Sequence, residues 1–155
     1  MTPRTAAAAP FAVLGLGCAI AGGLASAVIA PQPTPHGAWA VAYLVLVGGI
    51  AQLGLGVGQA LLAPALPSRR LVVAQVAAWN LGNAAVLAGT LSAVTPVVDV
   101  GGAVLVVALA LLVLGVRGSS PDGRTRWVRH GFRALVVLLL VSIPVGLVLA
   151  RVGPT

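Results

Sequence analysis

Charge is what this sequence has least of. Only 7% of its 155 residues are charged, where an ordinary soluble domain carries about 25%. Lysine and glutamate are absent, and the only acids are Asp99 and Asp122. A soluble enzyme is thereby excluded. Cysteine is almost missing too: the lone Cys18 allows no disulfide within the chain. Without a CxxCH motif, covalent c-type haem is excluded. No HExxH, GxSxG, P-loop, CxxC or dinucleotide fingerprint occurs, which removes the common hydrolase, nucleotide and redox chemistries.

What is present is apolar. Hydrophobic residues make up 59% of the chain and glycine contributes 20 residues, and the mean hydropathy is +1.10. The net charge of +7 comes from nine arginines. In a soluble chain that excess would point to nucleic acid. Here the arginines stand between long uncharged runs, so the partner they imply is a lipid bilayer and not nucleic acid. The Ala/Gly/Val/Leu/Arg bias is what a GC-rich genome writes, and points to an actinobacterial source.

A crossing helix needs about 20 apolar residues for roughly 30 Å of hydrocarbon. No charge occurs between Arg4 and Arg69, which is room for two such helices. The stretch Pro31-Gln32-Pro33-Thr34-Pro35 divides them, because three prolines cannot continue a helix. Prolines 64, 67 and 96 and the hydrophilic stretch 117–129, with its Ser120-Pro121-Asp122-Gly123 turn, mark the later boundaries. The expected fold is one all-α membrane bundle of five spans, near 10–30, 38–62, 71–93, 97–116 and 130–151. The first span exceeds the 7–15 residues of a signal-peptide core, so it is expected to be retained despite Ala25-Ser26-Ala27.

Arginine placement sets the expected orientation. With the amino terminus inside, eight arginines (4, 69, 70, 117, 124, 126, 129 and 133) fall on the cytoplasmic side and Arg151 alone outside. The positive-inside rule then puts the carboxy terminus outside and the protein in the inner (plasma) membrane. Asp99 and Asp122 lie on opposite sides and cannot form an acid–base pair. Trp39 and Trp127 sit near span ends, where indoles favour the headgroup region.

Polar side chains inside the spans form two layers. At 1.5 Å per residue, Gln59 and Gln75 lie about 5–6 Å above the inner ends of spans two and three. Gln52 lies about 15 Å up, level with Asn80 and Asn83. Amides in hydrocarbon need partners, so Gln59 is expected near Gln75 and Gln52 near Asn80 or Asn83. Such rungs act as glue between helices or as a polar pathway for a proton, ion or small solute. The outer layer holds His36, Trp39 and Tyr43 on one face of span two, with Asp99 at similar depth on span four. A carboxylate orienting an imidazole is a common arrangement behind a metal or haem ligand; it is also what a helix entry looks like, since the dipole favours Asp there. His130 belongs to the inner arginine cluster, as a headgroup contact. Gly54 and Gly58 form a GxxxG, Ala85 and Gly89 repeat the spacing, and Gly101-Gly102 opens span four; these allow close packing within the chain or between copies. Pro144 is expected to kink span five.

The run His36-Gly-Ala-Trp39, Gly48-Gly49, Gln52, Gly54, Gly58 and Pro64, then Trp79-Asn80-Leu81-Gly82 with Gly89, then Gly101-Gly102, resembles the helix unit of the haem-copper oxidase-like superfamily and of NnrS-type membrane proteins. The likeness covers about residues 36–116. It implies a homo-oligomer, with a trimer recovering the pseudo-threefold arrangement, and non-covalent haem b on His36. Asp99 would then support the ligand, and Trp39 and Tyr43 would line the pocket. The paired copper histidines and the cross-linked tyrosine motif are missing, which leaves haem binding or electron transfer and not oxidase catalysis. The other expected classes are a structural or accessory membrane subunit and a small solute or ion carrier using Gln52, Gln59, Gln75, Asn80 and Asn83.

Overall fold

The computed structural model describes residues 2–117 and 126–152. They are helical almost throughout, with no strand among the described residues. Helix α1 spans Pro3–Ile29. The second crossing has three joined parts: α2 (Pro35–Tyr43), a π-helical stretch (Leu44–Ala51) and α3 (Gln52–Leu62). Helices α4 (Arg69–Leu91), α5 (Thr95–Gly115) and α6 (Arg126–Val152) complete the chain. All five crossings are long and apolar enough to span a membrane. The Ser120–Gly123 turn, Arg124 and the side chain of Arg151 lie outside the described residues.

Short polar residues start the helices. The hydroxyls of Thr2, Thr34 and Ser68 accept the backbone N–H three residues on, at 3.2, 3.0 and 3.2 Å. These bonds satisfy donors that an α-helix leaves orphaned at its start. Pro3 and Pro35 stand at first helical positions, where no N–H is needed. This explains why α1 begins at Pro3, ahead of the start expected near residue 10. Thr2 caps it, the alanines carry it forward, and Pro10 is accommodated inside.

The π-helical stretch departs from the regular helix expected over 38–62. Its middle glycines, Gly48 and Gly49, are buried against α1. A Cβ on Gly49 would lie 3.0 Å from the Ala19 Cβ and 3.2 Å from the Gly15 carbonyl oxygen. The two backbones therefore touch directly where the helix is widest. π-Helical turns are rare and often occur at functional positions. This one ends at Ala51, directly before Gln52.

Two hairpins and a bridging helix make the bundle. Helix α1 packs along the second crossing, α4 packs along α5, and α6 lies against both α3 and α5. Glycines set the close approaches. A Cβ on Gly101 would sit 2.8 Å from the Val86 nitrogen and 2.9 Å from the Gly82 oxygen, so α4 and α5 meet backbone to backbone. The GxxxG of span two serves α6: a Cβ on Gly58 would strike Phe132, and one on Gly54 would lie 3.0 Å from Leu135. This motif is therefore used within the chain. Phe11, Leu55, Trp79, Leu109 and Leu112 form the sealed core. Val13, Leu16, Leu24, Leu46, Leu81 and Val107 are exposed around the outside, as a lipid-facing surface requires.

The start of α1, the end of α3, the start of α4, the end of α5 and the start of α6 share one end of the bundle. Arg4 ties two of them, donating from Nη1 to the Ala60 carbonyl at 2.6 Å. A cation on the last carbonyls of α3 also complements its dipole. Arg4, Arg69, Arg70, Arg117, Arg126, Arg129 and Arg133 lie toward this basic end, and Arg151, in the last turn of α6, toward the other.

Candidate functional site

The polar residues of the spans gather on one stripe of α3 and one of α4. Gln52 and Gln59 lie seven residues apart on α3, and Gln75, Trp79 and Asn83 recur every four residues on α4, so each set shares a helix face. All five are buried. At 1.5 Å per residue from the basic end, Gln59 stands at about 5 Å and Gln75 at about 9 Å. Gln52 and Trp79 stand at about 15 Å, and Asn83 at about 21 Å. The stripe thus reaches from one end of the bundle past its middle.

At the basic end, Gln59 and Gln75 converge on Gly115, the last residue of α5. A Cβ there would collide with the Gln59 Nε2 and lie 3.5 Å from the Gln75 Nε2. The missing side chain is what makes room for the two amides. Gln75 donates from Nε2 to the Leu111 carbonyl at 3.0 Å, linking α4 to a carbonyl in the last turn of α5. Its Oε1 and the Gln59 Nε2 have no hydrogen-bond partner among the described residues.

Further from that end, the asparagines are already engaged. The Tyr43 hydroxyl donates to Asn83 Oδ1 at 2.7 Å, joining α2 to α4. Asn83 Nδ2 donates to the Trp79 carbonyl at 2.8 Å. Asn80 Nδ2 turns back to the Val76 carbonyl of its own helix, also at 2.8 Å. The rung expected between Gln52 and these asparagines is therefore not a hydrogen-bonded one. Tyr43 occupies Asn83 instead, and Asn80 satisfies its own helix.

Gln52 is left as the unusual residue. It is 0% exposed, and neither Nε2 nor Oε1 has a partner among the described residues. Trp79, at the same level, is 1% exposed with its indole N–H likewise unpaired. A buried polar group without a partner costs about 1–3 kcal/mol. Gln52 and Trp79 are two such residues at one depth of the core. Trp79 and Gly115 were not singled out as polar-site residues from sequence. The four-residue spacing of Gln75, Trp79 and Asn83 is the signal that places the indole in the stripe; nothing in the sequence marks Gly115.

At the other end, His36 is the second residue of α2 and is exposed, as are Pro35 and Ala38. Trp39 is 38% exposed and packs its ring on Tyr43, with centroids 5.2 Å apart and planes at 30°. Asp99 is half-buried on α5, whereas α2 packs on α1 with an edge toward α4. Among the described residues, no group of three His, Cys, Asp or Glu side chains is arranged to hold a metal ion. The Tyr43 hydroxyl is taken up by Asn83 of α4. Within one chain His36 and Trp39 stand exposed at this end, with Tyr43 and Asp99 half-buried. His130, in the basic cluster, is exposed. Comparison with protein-family models, curated proteins and solved structures finds no match for the chain.

Proposed function

We propose that this is a multi-pass inner-membrane protein whose core binds a small uncharged polar solute and lets it pass along the amide stripe. The amino terminus and the arginine-rich 117–129 segment face the cytoplasm in this reading, by the eight-to-one arginine split. One observation carries it: both polar atoms of the fully buried Gln52 lack a partner among the described residues. A guest with one donor and one acceptor satisfies that amide, and the Trp79 N–H at the same depth supplies a further donor. Neutral chemistry follows from the stripe itself, which offers amide, indole and phenol groups and no charged side chain. An ion there would lose its hydration with no counter-charge in return, at a cost of several kcal/mol or more.

Proteoliposomes placed in a urea or glycerol gradient test the reading by stopped-flow light scattering. Wild-type protein is expected to raise solute permeability above that of protein-free vesicles, and Gln52→Leu to return it to that baseline. Wild-type vesicles no more permeable than empty ones would remove the carrier reading and leave a structural or accessory subunit. Haem at His36 needs a second copy to close the site, and its test is separate. A Soret band lost in His36→Ala supports it; a colourless protein that takes up no added haem overturns it.

A further inference from the structure

The π-helical stretch changes how the second crossing winds, and the neighbouring contacts record it. Val41 and Val45 meet Gly22 of α1, Gly49 and Leu53 meet Gly15, and Gly56 meets Phe11. The face on α1 therefore recurs every four residues through the stretch and after three beyond it. The exposed side keeps the same rhythm: Ala42, Leu46, Ile50 and Gly54, then Val57. In a regular α-helix the twelve residues from Val41 to Leu53 would carry the chain about 120° past its starting face, off α1 altogether. The i→i+5 bonds of the stretch slow the winding to about four residues per turn and hold one face on α1.

Tyr43 is turned by this slow winding. It precedes Gln52 by nine residues, which a regular α-helix would place about 180° apart. At about four residues per turn they stand about 90° apart. Tyr43 is thereby directed to α4, where its hydroxyl reaches Asn83, the outermost residue of the α4 stripe, at 2.7 Å. Little else fixes α2, none of whose residues is buried. We propose that the π-helical stretch is a winding hinge and Tyr43 its latch. While the stretch is π-helical, Tyr43 sits on Asn83 and closes the outer end of the amide stripe. When it tightens to an α-helix, α2 turns by about 90° relative to α3, Tyr43 leaves Asn83, and the stripe opens toward the 31–37 link. The role in passage rests on the carrier reading; the motion rests on helix geometry alone.

The two are tested separately. Deleting Leu46, exposed and inside the stretch, leaves Val41 and Leu53 eleven positions apart, which a regular α-helix brings back to within about 20° of one face. The deletion thus keeps Tyr43 on Asn83 and removes the hinge; deleting Ile50 serves equally where the first variant does not fold. Nitroxides on Ala38→Cys and Leu91→Cys, in Cys18→Ser protein, read the distance from α2 to the end of α4. The parent is expected to show a latched and a turned distance, and the deletion the latched one alone. Tyr43→Phe is expected to raise the turned population about threefold, as losing an interhelical hydrogen bond of about 0.6 kcal/mol implies. A single distance shared by all three proteins overturns the hinge. Solute permeability is expected to follow, rising about threefold in Tyr43→Phe and falling to the protein-free level in the deletion. A deletion variant that carries solute like its parent overturns the latch. Two distances in protein that carries no solute uphold the hinge and remove the carrier reading instead.

Discussion

Gln52 sits in the sealed core without a hydrogen-bond partner among the described residues, and this gives it a signature distinct from an ordinary structural amide. Replacing a partnered core amide by leucine strands the other partner and destabilises. Replacing an unpartnered one removes a desolvation cost of about 1–3 kcal/mol. Gln52→Leu is therefore expected to raise resistance to unfolding in detergent titrations even as solute permeability falls, the pattern of a site kept for function at a cost in stability. Loss of stability by more than about 1 kcal/mol would show that Gln52 is glue. Tyr43 predicts the opposite sign. Its hydroxyl donates to Asn83 across two helices at 2.7 Å, so Tyr43→Phe is expected to lose about 0.6 kcal/mol and at most about 1.7 kcal/mol in the same titration. Depth along a helix follows from counting residues, so the levels of Gln52, Gln59, Gln75 and Asn83 were legible in the sequence. Their partners were not, because pairing depends on which helices are neighbours. Here α3 packs chiefly on α1 and α6 while α4 packs on α5, and Tyr43, from the outer layer, reaches Asn83 first.

Helix extents were readable for the same reason that they form. Prolines, caps and arginines punctuate the apolar runs, and the second to fourth crossings end within a few residues of the expected places. The π-helical stretch was not readable, since Leu44–Ala51 has the composition of any membrane helix and its width depends on contact with α1. The turn between α4 and α5 carries a local departure of another kind. The Val94 N–H donates to the Gly89 carbonyl at 2.8 Å and the Ala93 N–H to the Thr90 carbonyl at 3.3 Å, which is a Schellman ending. Such an ending puts its penultimate residue in left-handed backbone, a place glycine usually fills, yet Ala93 stands there at φ 56°. A left-handed alanine costs about 1–2 kcal/mol. Glycine at this position gives back about 0.4–1 kcal/mol through greater freedom of the unfolded chain. Ala93→Gly is thus expected to stabilise the α4–α5 hairpin by about 0.5–1 kcal/mol, read as a shift in thermal or detergent midpoint, and a lower midpoint would contradict the strain argument.

The whole molecule is polarised along its axis. Arg4, Arg69, Arg70, Arg117, Arg126, Arg129 and Arg133 belong to one end of the bundle, and Arg4 is bonded there to the last turn of α3. The 31–37 and 92–94 links at the opposite end carry no arginine at all. With all five helices crossing, an odd number, the two termini are expected on opposite sides of the bilayer. Translocating an arginine-rich segment is disfavoured, and these segments are short enough for that bias to set orientation. The basic end is accordingly expected in the cytoplasm, with Thr155 outside. Alkaline phosphatase fused after Thr155 should be active, and a fluorescent protein at the same place should stay dark. Fusions within Ser119-Ser120 should behave in the reverse way. Replacing the arginines at 117, 126, 129 and 133 by glutamine while adding arginines to the 31–37 link should shift part of the population to the inverted form. A cytoplasmic signal from the carboxy terminus of the unaltered chain would reject the orientation.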